Sequence, residues 1–198
     1  MNKLIVILGP TATGKTSLAV RLADSIHGEI ISADSRQIYK GMDIGTGKDL
    51  EEYKLNGQTI PYHLIDIVNP NEEYNVFHFK KDFQTIFPQL IKRQKIPILC
   101  GGTGFYIKAI LMDFQLPNTT PNPKLREELE AWTREELIEN LEHISPGASK
   151  HKNLETKRRV IRAIEIELCD NKLDIEKNAI PRVISKVTNP LVLGIKYP

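Results

Sequence analysis

Short apolar runs alternate with longer amphipathic segments along most of the chain. The runs with the length and composition of buried strands lie near residues 3–8, 29–32, 63–67, 96–100 and 190–195. Between them, apolar residues recur every three or four positions, which predicts helices near residues 14–26, 75–94, 103–112, 123–143 and 154–169. Strands and helices that alternate in this way form a parallel sheet with helices on both faces, so we predict an α/β fold.

Three parts are predicted along the chain. Residues 1–112 are expected to form an α/β core. A proline-rich linker then leads into a small helical segment with a basic patch, which we place at 113–170. Residues 171–198 combine a charged stretch without periodicity, expected to be a loop, with the last core strand.

Composition narrows the class of protein without deciding it. The 198 residues are 40% hydrophobic, enough for one sizeable core, and carry a formal net charge of +2. So small a charge does not indicate nucleic acid, and RNA affinity would have to come from local patches. Cys100 and Cys169 lack metal-ligand spacing and are expected to be buried thiols in a reducing compartment. No signal peptide or apolar run of membrane length is evident, so we expect a cytoplasmic protein with no membrane partner.

The first predicted strand runs directly into the pattern G-x-x-x-x-G-K-T. Its residues are Gly9, Pro10, Thr11, Ala12, Thr13, Gly14, Lys15 and Thr16. Between a strand and a helix, this pattern turns backbone N–H groups inward as an anion nest, where Lys15 reaches the outermost phosphate and Thr16 can hold Mg²⁺. The pattern predicts a P-loop NTPase-like sheet that binds a phosphate chain. Kinases, nucleoside triphosphatases and enzymes that use other pyrophosphate esters would all satisfy it.

Two further strand ends are expected at the same edge of the sheet as the P-loop. Asp34 follows the strand at 29–32, and local evidence favours equally a proton acceptor and a cap for the next turn. The strand at 96–100 ends in Gly101-Gly102-Thr103-Gly104, where glycine permits close backbone approach and Thr103 offers a hydroxyl. A glycine turn alone is weak evidence, and its value comes from being the second such turn in one sheet.

An ordered series of motifs resembles a known family. The motifs are G-P-T-A-T-G-K-T, S-A-D-S-R-Q-I-Y-K-G-M-D-I-G-T, P-Y-H-L-I-D, I-P-I-L-C-G-G-T-G-F-Y-I-K-A-I-L, and the segments at 125–130 and 158–166. They look like the tRNA dimethylallyltransferases, the isopentenyltransferase family that modifies an adenine beside the anticodon. The likeness runs from residue 4 to about residue 166 and is far more specific than the P-loop alone. Family members are usually longer, so we expect a weaker grip on a complete tRNA.

The resemblance implies a prenyl transfer. In that family the P-loop holds the pyrophosphate of dimethylallyl diphosphate, and N6 of adenine attacks the allylic carbon. Carried over to this chain, Lys15 and the backbone of residues 9–16 stabilise the leaving group, and Thr16 carries Mg²⁺. Asp34 takes the proton of the amine. Thr103 and Arg126 match family positions near the reacting groups.

The resemblance also implies tRNA as a partner, and we expect a monomer that binds tRNA and dimethylallyl diphosphate. The residues that match tRNA-contacting positions are Asp34, Ser35, Arg36, Gln37, Arg158, Arg159 and Arg162. The adenine must leave its stack, because N6 is otherwise unreachable. Without the resemblance, the arginine cluster would be interpreted as a solvated helix face paired with Glu155 and Glu165. The alternatives are a free adenine nucleotide as acceptor, a P-loop small-molecule kinase, and an RNA-binding relative that no longer catalyses.

Some chemistry-bearing residues are expected to be structural instead. The stretch from Gly41 to Lys48 nearly repeats the P-loop, but its spacing is one residue too long and no hydroxyl follows the lysine. Asp66 is interpreted as structural, His63 as a hydrogen-bonded polar group, and Trp132 as a packing residue.

Overall fold

The chain divides into two compact units, Met1–Gln115 with Arg182–Pro198, and Leu116–Pro181. The computed structural model describes residues 3–114, 116–117, 119, 121–151, 153–170 and 189–196. The loop predicted over 171–189 therefore lies outside the described residues up to residue 188.

A parallel sheet forms the centre of the first unit. The strands of this unit are β1 (Ile5–Leu8), β2 (Gly28–Ser32), β3 (Lys54–Leu55), β4 (Gln58–Thr59), β5 (Tyr62–His63), β6 (Ile96–Gly101) and β7 (Leu191–Gly194). β3 and β4 form a separate antiparallel hairpin, and the other five form one parallel sheet in the order β5-β2-β6-β1-β7. In register, Leu99 at the centre of β6 lies opposite Val6 on one side and Ile31 on the other.

Helices cover both faces of this sheet, as predicted. They are α1 (Lys15–Ile26), α2 (Val76–Lys92) and α3 (Gly104–Leu111), and a 3₁₀ turn at Leu50–Tyr53 precedes β3. Because successive strand residues point to opposite faces, the sheet contributes to two apolar clusters. The cluster on the α2 and α3 face contains Leu4, Val6, Ile31, Leu99, Phe79, Phe83 and Phe87. The cluster on the α1 face contains Ile7, Ile30, Ile98, Ala19, Val20 and Ala23.

The second unit is helical and has its own core. Its helices are α4 (Pro123–Glu130), α5 (Arg134–Ile144) and α6 (Lys157–Asp170), with a 3₁₀ turn at Ala148–His151. The buried side chains include Leu129, Leu137, Leu141, Val160, Ile161 and Ile164. The single helix predicted over 123–143 is wrong, because Thr133 starts a new helix there. Its side chain accepts a hydrogen bond from the Glu136 backbone N–H, and the Glu136 carboxylate accepts one from the Thr133 N–H.

One other local prediction differs from the structure, and one local feature was missed. The strand predicted over 63–67 ends at His63, because Leu64 (φ 62°) and Asp66 (φ 54°) adopt left-handed conformations that interrupt an extended run. The β3–β4 hairpin was not predicted, although its turn residues, Asn56 (φ 51°) and Gly57 (φ 77°), form a dipeptide typical of tight hairpins.

In the part of the chain that the structure describes, no helix is both long enough and apolar enough to span a bilayer.

Candidate active site

The P-loop leads from β1 into α1, and two of its residues have the left-handed conformation that anion nests require. Ala12 (φ 61°) and Gly14 (φ 76°) are left-handed, and Gly14 occupies the N-cap of α1 without any side-chain cap. The first amides of α1 therefore face out of the helix end, where a helix favours negative charge. Thr13 Oγ1 donates to the Pro10 carbonyl at 2.8 Å, and Lys15 Nζ also donates to this carbonyl. The lysine predicted to bind phosphate thus lies over its own loop.

Gly9 is required at the start of the loop by its contact with the end of β7. A Cβ at this position would lie 2.4 Å from the Ile195 carbonyl oxygen, too close for any side chain. The adjoining backbone continues the β1–β7 pairing, since the Ile195 N–H donates to the Leu8 carbonyl at 2.8 Å. The start of the P-loop therefore packs directly against the backbone that follows β7, at the end of the sheet where β1 and β7 terminate.

The glycine turn after β6 joins the end of β2. A Cβ on Gly101 would lie 2.2 Å from the Ala33 carbonyl oxygen, and that oxygen accepts the Thr103 N–H at 3.0 Å. Thr103 Oγ1 in turn accepts the Ser35 N–H at 2.9 Å and lies 3.2 Å from Ser35 Oγ, to which it donates. A Cβ on Gly102 would lie 3.8 Å from the Gly9 carbonyl oxygen. The structure thus brings together the P-loop, the Asp34 segment and the Thr103 turn.

Asp34 occupies the position expected of a cap, and this role leaves room for chemistry. Its Oδ1 accepts the Arg36 N–H at 2.9 Å, which fixes the carboxylate plane relative to the backbone. Among the described residues Oδ2 has no hydrogen-bond partner. The two roles that the sequence could not separate are therefore compatible in one carboxylate.

Cys100 is a buried thiol whose pKa is affected by charged groups of both loops. Burial raises the pKa of its thiol to about 12, with Lys15 opposing the increase and Asp34 adding to it. One lysine of the P-loop and the carboxylate after β2 therefore both act on the same buried atom. The high pKa also makes Cys100 an unreactive thiol. Cys169, predicted to be buried as well, is only partly buried.

Gln37 is held by hydrogen bonds at both ends of its amide. Its Nε2 donates to the Gly47 carbonyl at 3.1 Å, and Ser32 Oγ donates to its Oε1 at 3.3 Å. Arg36, its neighbour, is exposed. Of these two residues that match tRNA-contacting positions, Gln37 is therefore the one whose side chain is held by hydrogen bonds to the protein.

The second unit contains the remaining predicted site residues, and two of them bind a common partner. Arg126 donates from Nε and Nη2 to the two carboxylate oxygens of Glu165, at 2.8 and 2.9 Å, and Arg162 adds a bond at 3.1 Å. The Glu165 side chain is only 1% exposed. Burial, which raises its pKa, is outweighed by the bonds from Arg126, the Asn122 N–H and Arg162, so the pKa of Glu165 lies below its usual value.

Arg158 and Arg159 lie on the exposed part of α6. Arg159 contacts Glu155 and Asn153, each at 2.8 Å, within its own segment. The pairing with Glu155 and Glu165 suggested by spacing is thus present for Arg159 and Arg162. Glu165 as the common partner of Arg126 and Arg162 was not predicted, because Arg126 is 39 positions away in sequence.

The charged and polar residues expected to be structural have protein partners, whereas Trp132 does not pack as expected. Lys48 is buried and binds Asp66, while His63 Nε2 lies 2.8 Å from a carboxylate oxygen of buried Glu29. Arg93 also binds Glu29, with two bonds of 2.8 and 3.0 Å. Burial raises the pKa of Glu29, but the hydrogen bonds from His63 and Arg93 outweigh it and hold the pKa below its usual value. Trp132 is 40% exposed, more than expected of a packing residue.

Two family models match this sequence. The model described as IPP transferase matches residues 37–194, and the model described as Isopentenyl transferase matches residues 2–66. The chain is 46% identical over 198 residues to tRNA dimethylallyltransferase 1 of Syntrophus aciditrophicus, covering 100% of this chain and 63% of that protein. It is 53% identical over 165 residues to tRNA dimethylallyltransferase 1 of Parabacteroides distasonis, covering 83% of this chain and 53% of that protein.

Solved structures of related enzymes share the fold. The full-length tRNA isopentenylpyrophosphate transferase of Bacillus halodurans is 40% identical with a TM-score of 0.55, covering 84% of this chain and 55% of that one. A eukaryotic dimethylallyltransferase acting on tRNA is 27% identical with a TM-score of 0.73, covering 99% of this chain and 49% of that one. The chain therefore spans less than two thirds of the length of these relatives.

Proposed function

We propose that this chain, which belongs to the IPP transferase family, transfers a dimethylallyl group from dimethylallyl diphosphate to N6 of an adenine beside the anticodon of tRNA. The observation that carries the proposal is the convergence of the P-loop, the Asp34 segment and the Thr103 turn at one edge of the sheet. The transfer needs an anion site for the leaving diphosphate and a base for the attacking amine. An anion nest next to a carboxylate supplies both.

The P-loop acts on the leaving group. As the bond between the allylic carbon and the diphosphate oxygen breaks, negative charge develops on that oxygen, and fixed donors stabilise it. The outward-facing amides at the start of α1 are such donors. Lys15 donates to the neutral Pro10 carbonyl in the structure, and a diphosphate oxygen is a stronger acceptor for the same ammonium.

A magnesium ion fits this site through the diphosphate. Within the described residues there is no group of three or more His, Cys, Asp or Glu side chains that could hold a metal, so the protein alone offers little. Magnesium normally keeps several waters and binds through one or two protein oxygens plus phosphates. The Thr16 hydroxyl in the first turn of α1 suits this arrangement. When bound, the ion would neutralise part of the diphosphate charge.

Asp34 acts on the nucleophile. The bond between N6 and the allylic carbon forms as the diphosphate leaves, and the amine must then lose a proton. Asp34 Oδ1 is engaged by the Arg36 N–H, which orients Oδ2 as the proton acceptor. Thr103, hydrogen-bonded to Ser35, supports the same segment. Catalysis then depends largely on holding amine and allylic carbon in contact.

The acceptor is assigned to tRNA because of the exposed cations and the relatives' activity. Arg36, Arg158 and Arg159 are exposed and suited to phosphate contact. Arg126 and Arg162 bind Glu165 instead, so we assign them the task of holding the second unit together. Because two predicted site cations are engaged in this way, a free adenine nucleotide is the second candidate acceptor. We further propose that the protein works as a monomer in the cytoplasm, in keeping with its two free cysteines.

Mass spectrometry of two acceptors tests the proposal. The protein is incubated with dimethylallyl diphosphate, Mg²⁺ and either an anticodon stem-loop RNA or AMP. We expect a dimethylallyl adduct on the stem-loop and none with Lys15→Ala, which loses the charge that stabilises the leaving group. An adduct on AMP alone would support the free-nucleotide alternative. ATP-dependent phosphorylation of a small acceptor without prenyl transfer would support a kinase and reject the proposal.

A further inference from the structure

Lys48 is a buried cation that ties together three segments next to Gln37. Its side chain is 1% exposed, and its ammonium binds Asp43 at 2.7 Å, Asp66, and the Tyr39 carbonyl at 3.0 Å. These contacts use all three ammonium hydrogens. Burial lowers the pKa of Lys48, but the bonds to Asp43 and Asp66 raise it by more, so the group stays charged. We call Lys48, Asp43 and Asp66 the lysine lock.

The lysine lock holds the backbone on both sides of the Gln37 amide. The Asp66 N–H donates to the Gln37 carbonyl at 3.1 Å, which joins the lock to the residue itself. On the other side, Gly47 immediately precedes Lys48 and accepts the hydrogen bond from Gln37 Nε2. The Gly47 carbonyl belongs to the planar peptide bond that joins Gly47 to Lys48, so fixing Lys48 also fixes this acceptor.

The orientation of the Gln37 amide follows from its partners. A carbonyl only accepts hydrogen bonds, so the NH₂ end must face Gly47 and the oxygen must face Ser32. An amide offers two N–H donors and two oxygen lone pairs. Within the described part of the chain, one donor and one lone pair are therefore left for a ligand. Adenine presents the complement on one edge, an N6–H donor beside the N7 acceptor.

We propose that the lysine lock positions the Gln37 amide to bind the N6–H and N7 edge of the acceptor adenine, with Lys48 as the positioning residue. The inference rests on the proposed function, since it assigns the acceptor specificity of that same site. Adenine N6 carries two hydrogens, so one can be bound by Gln37 while the other is transferred to Asp34. Guanine, whose O6 and N7 are both acceptors, would meet the Gln37 oxygen with a lone pair.

A stem-loop RNA with 7-deazaadenine at the target position tests the contact, because this base keeps N6 and lacks only the N7 acceptor. Binding of the adenine and 7-deazaadenine RNAs is measured by fluorescence anisotropy, and dimethylallyl transfer is followed in parallel. Loss of one hydrogen bond should weaken wild-type binding of the 7-deaza RNA about 3- to 10-fold. In Lys48→Met the two RNAs should bind within about 2-fold of each other, because the amide is no longer held.

Lys80→Met is the matched control. Lys80 is also buried in the first unit, where it binds Asp113 at 2.8 Å, and it makes no contact with Gln37. This variant should keep the full difference between the two RNAs. Equal wild-type binding of both RNAs, or an undiminished difference in Lys48→Met, would overturn the inference.

Two further readouts keep the test decisive. If circular dichroism shows that Lys48→Met is unfolded, Gln37→Glu replaces the NH₂ group by an acceptor and should abolish the difference, and its persistence would contradict the proposal. RNA discrimination without dimethylallyl transfer would reject the proposed function and leave the inference standing. Dimethylallyl transfer without discrimination between the two RNAs would overturn the inference and leave the proposed function standing.

Discussion

Gly101→Ala should separate the Thr103 turn from the Asp34 segment, which meet at the candidate site. The new Cβ would lie 2.2 Å from the Ala33 carbonyl oxygen and 2.4 Å from its carbon. Both are backbone atoms, so no side-chain rotation can relieve the contact. The end of β6 and the end of β2 must move apart by about 1 Å to reach ordinary van der Waals contact.

The loss of folding free energy in Gly101→Ala has two sources, the close contact and a weakened hydrogen bond. Overpacking by one methyl group in a close contact costs about 1–3 kcal/mol. The Thr103 N–H bond to Ala33, 3.0 Å long, would be weakened or lost, at a cost of about 0.5–1.5 kcal/mol. We therefore expect a destabilisation of about 2–4 kcal/mol, which for a chain of this size lowers Tm by roughly 4–16 °C.

Gly104→Ala is the matched control for Gly101→Ala. Gly104 belongs to the same glycine turn, but a Cβ there meets no described atom within 4 Å, and the residue begins α3. Alanine favours a helix over glycine, so this variant should be as stable as wild type or slightly more stable. Thermal unfolding followed by circular dichroism measures both. A Tm of Gly101→Ala equal to that of Gly104→Ala would refute the reasoning, and so would full transfer activity in Gly101→Ala.

Four other substitutions give three separate expectations. Asp34→Asn should lower the single-turnover transfer rate by about 10²- to 10⁴-fold while calorimetry shows unchanged dimethylallyl diphosphate binding, and a normal rate would leave Asp34 as a cap only. The pKa of Glu29 is lowered in the folded state, so its stabilisation is present above its unfolded pKa and is lost as pH falls through the folded value. Urea unfolding should therefore show Glu29→Gln less stable at neutral pH but losing less stability than wild type below about pH 4.5, and parallel curves would contradict this. Arg159→Ala should reduce the salt dependence of RNA binding and leave Tm unchanged. Arg162→Ala should also lower Tm, because Arg162 binds buried Glu165 and the Thr119 carbonyl. Equal Tm values for the two variants would argue against that difference.

The main architecture was predictable because periodicity and glycine motifs act locally. Apolar runs and amphipathic segments predicted the parallel sheet and its covering helices, and the G-x-x-x-x-G-K-T pattern placed the P-loop between β1 and α1. Strand direction then implied that Asp34 and Thr103 would lie at the same edge, and Thr103 does contact Ser35. Each of these steps needs only neighbouring residues and a general rule of chain topology.

The sequence could not show which individual glycines lie too close to other backbone atoms to accept a side chain. Gly101 and Gly104 look alike in sequence, but only Gly101 faces the backbone of another strand. The difference depends on strand packing across 68 positions of sequence, which no local pattern encodes. The Asn56-Gly57 turn, in contrast, carried a recognisable local signal, and the hairpin around it was predictable.

Buried charges explain most of what remained unpredicted about the site. From sequence alone, Lys48 and Glu165 would both be predicted to be exposed to solvent, but both are buried. A buried charge is stable only with charged or polar partners, and the partners of these two residues lie elsewhere in the chain. Lys48 finds Asp66 18 positions later, and Glu165 finds Arg126 39 positions earlier. Removing one partner of such a pair leaves the other charge buried, which is far more costly than losing an exposed ion pair. These residues therefore join distant segments strongly, and the segment that Lys48 joins carries the amide of Gln37. A charge that sequence patterns would assign to solvent can in this way fix the position of an amide that we propose binds the acceptor base.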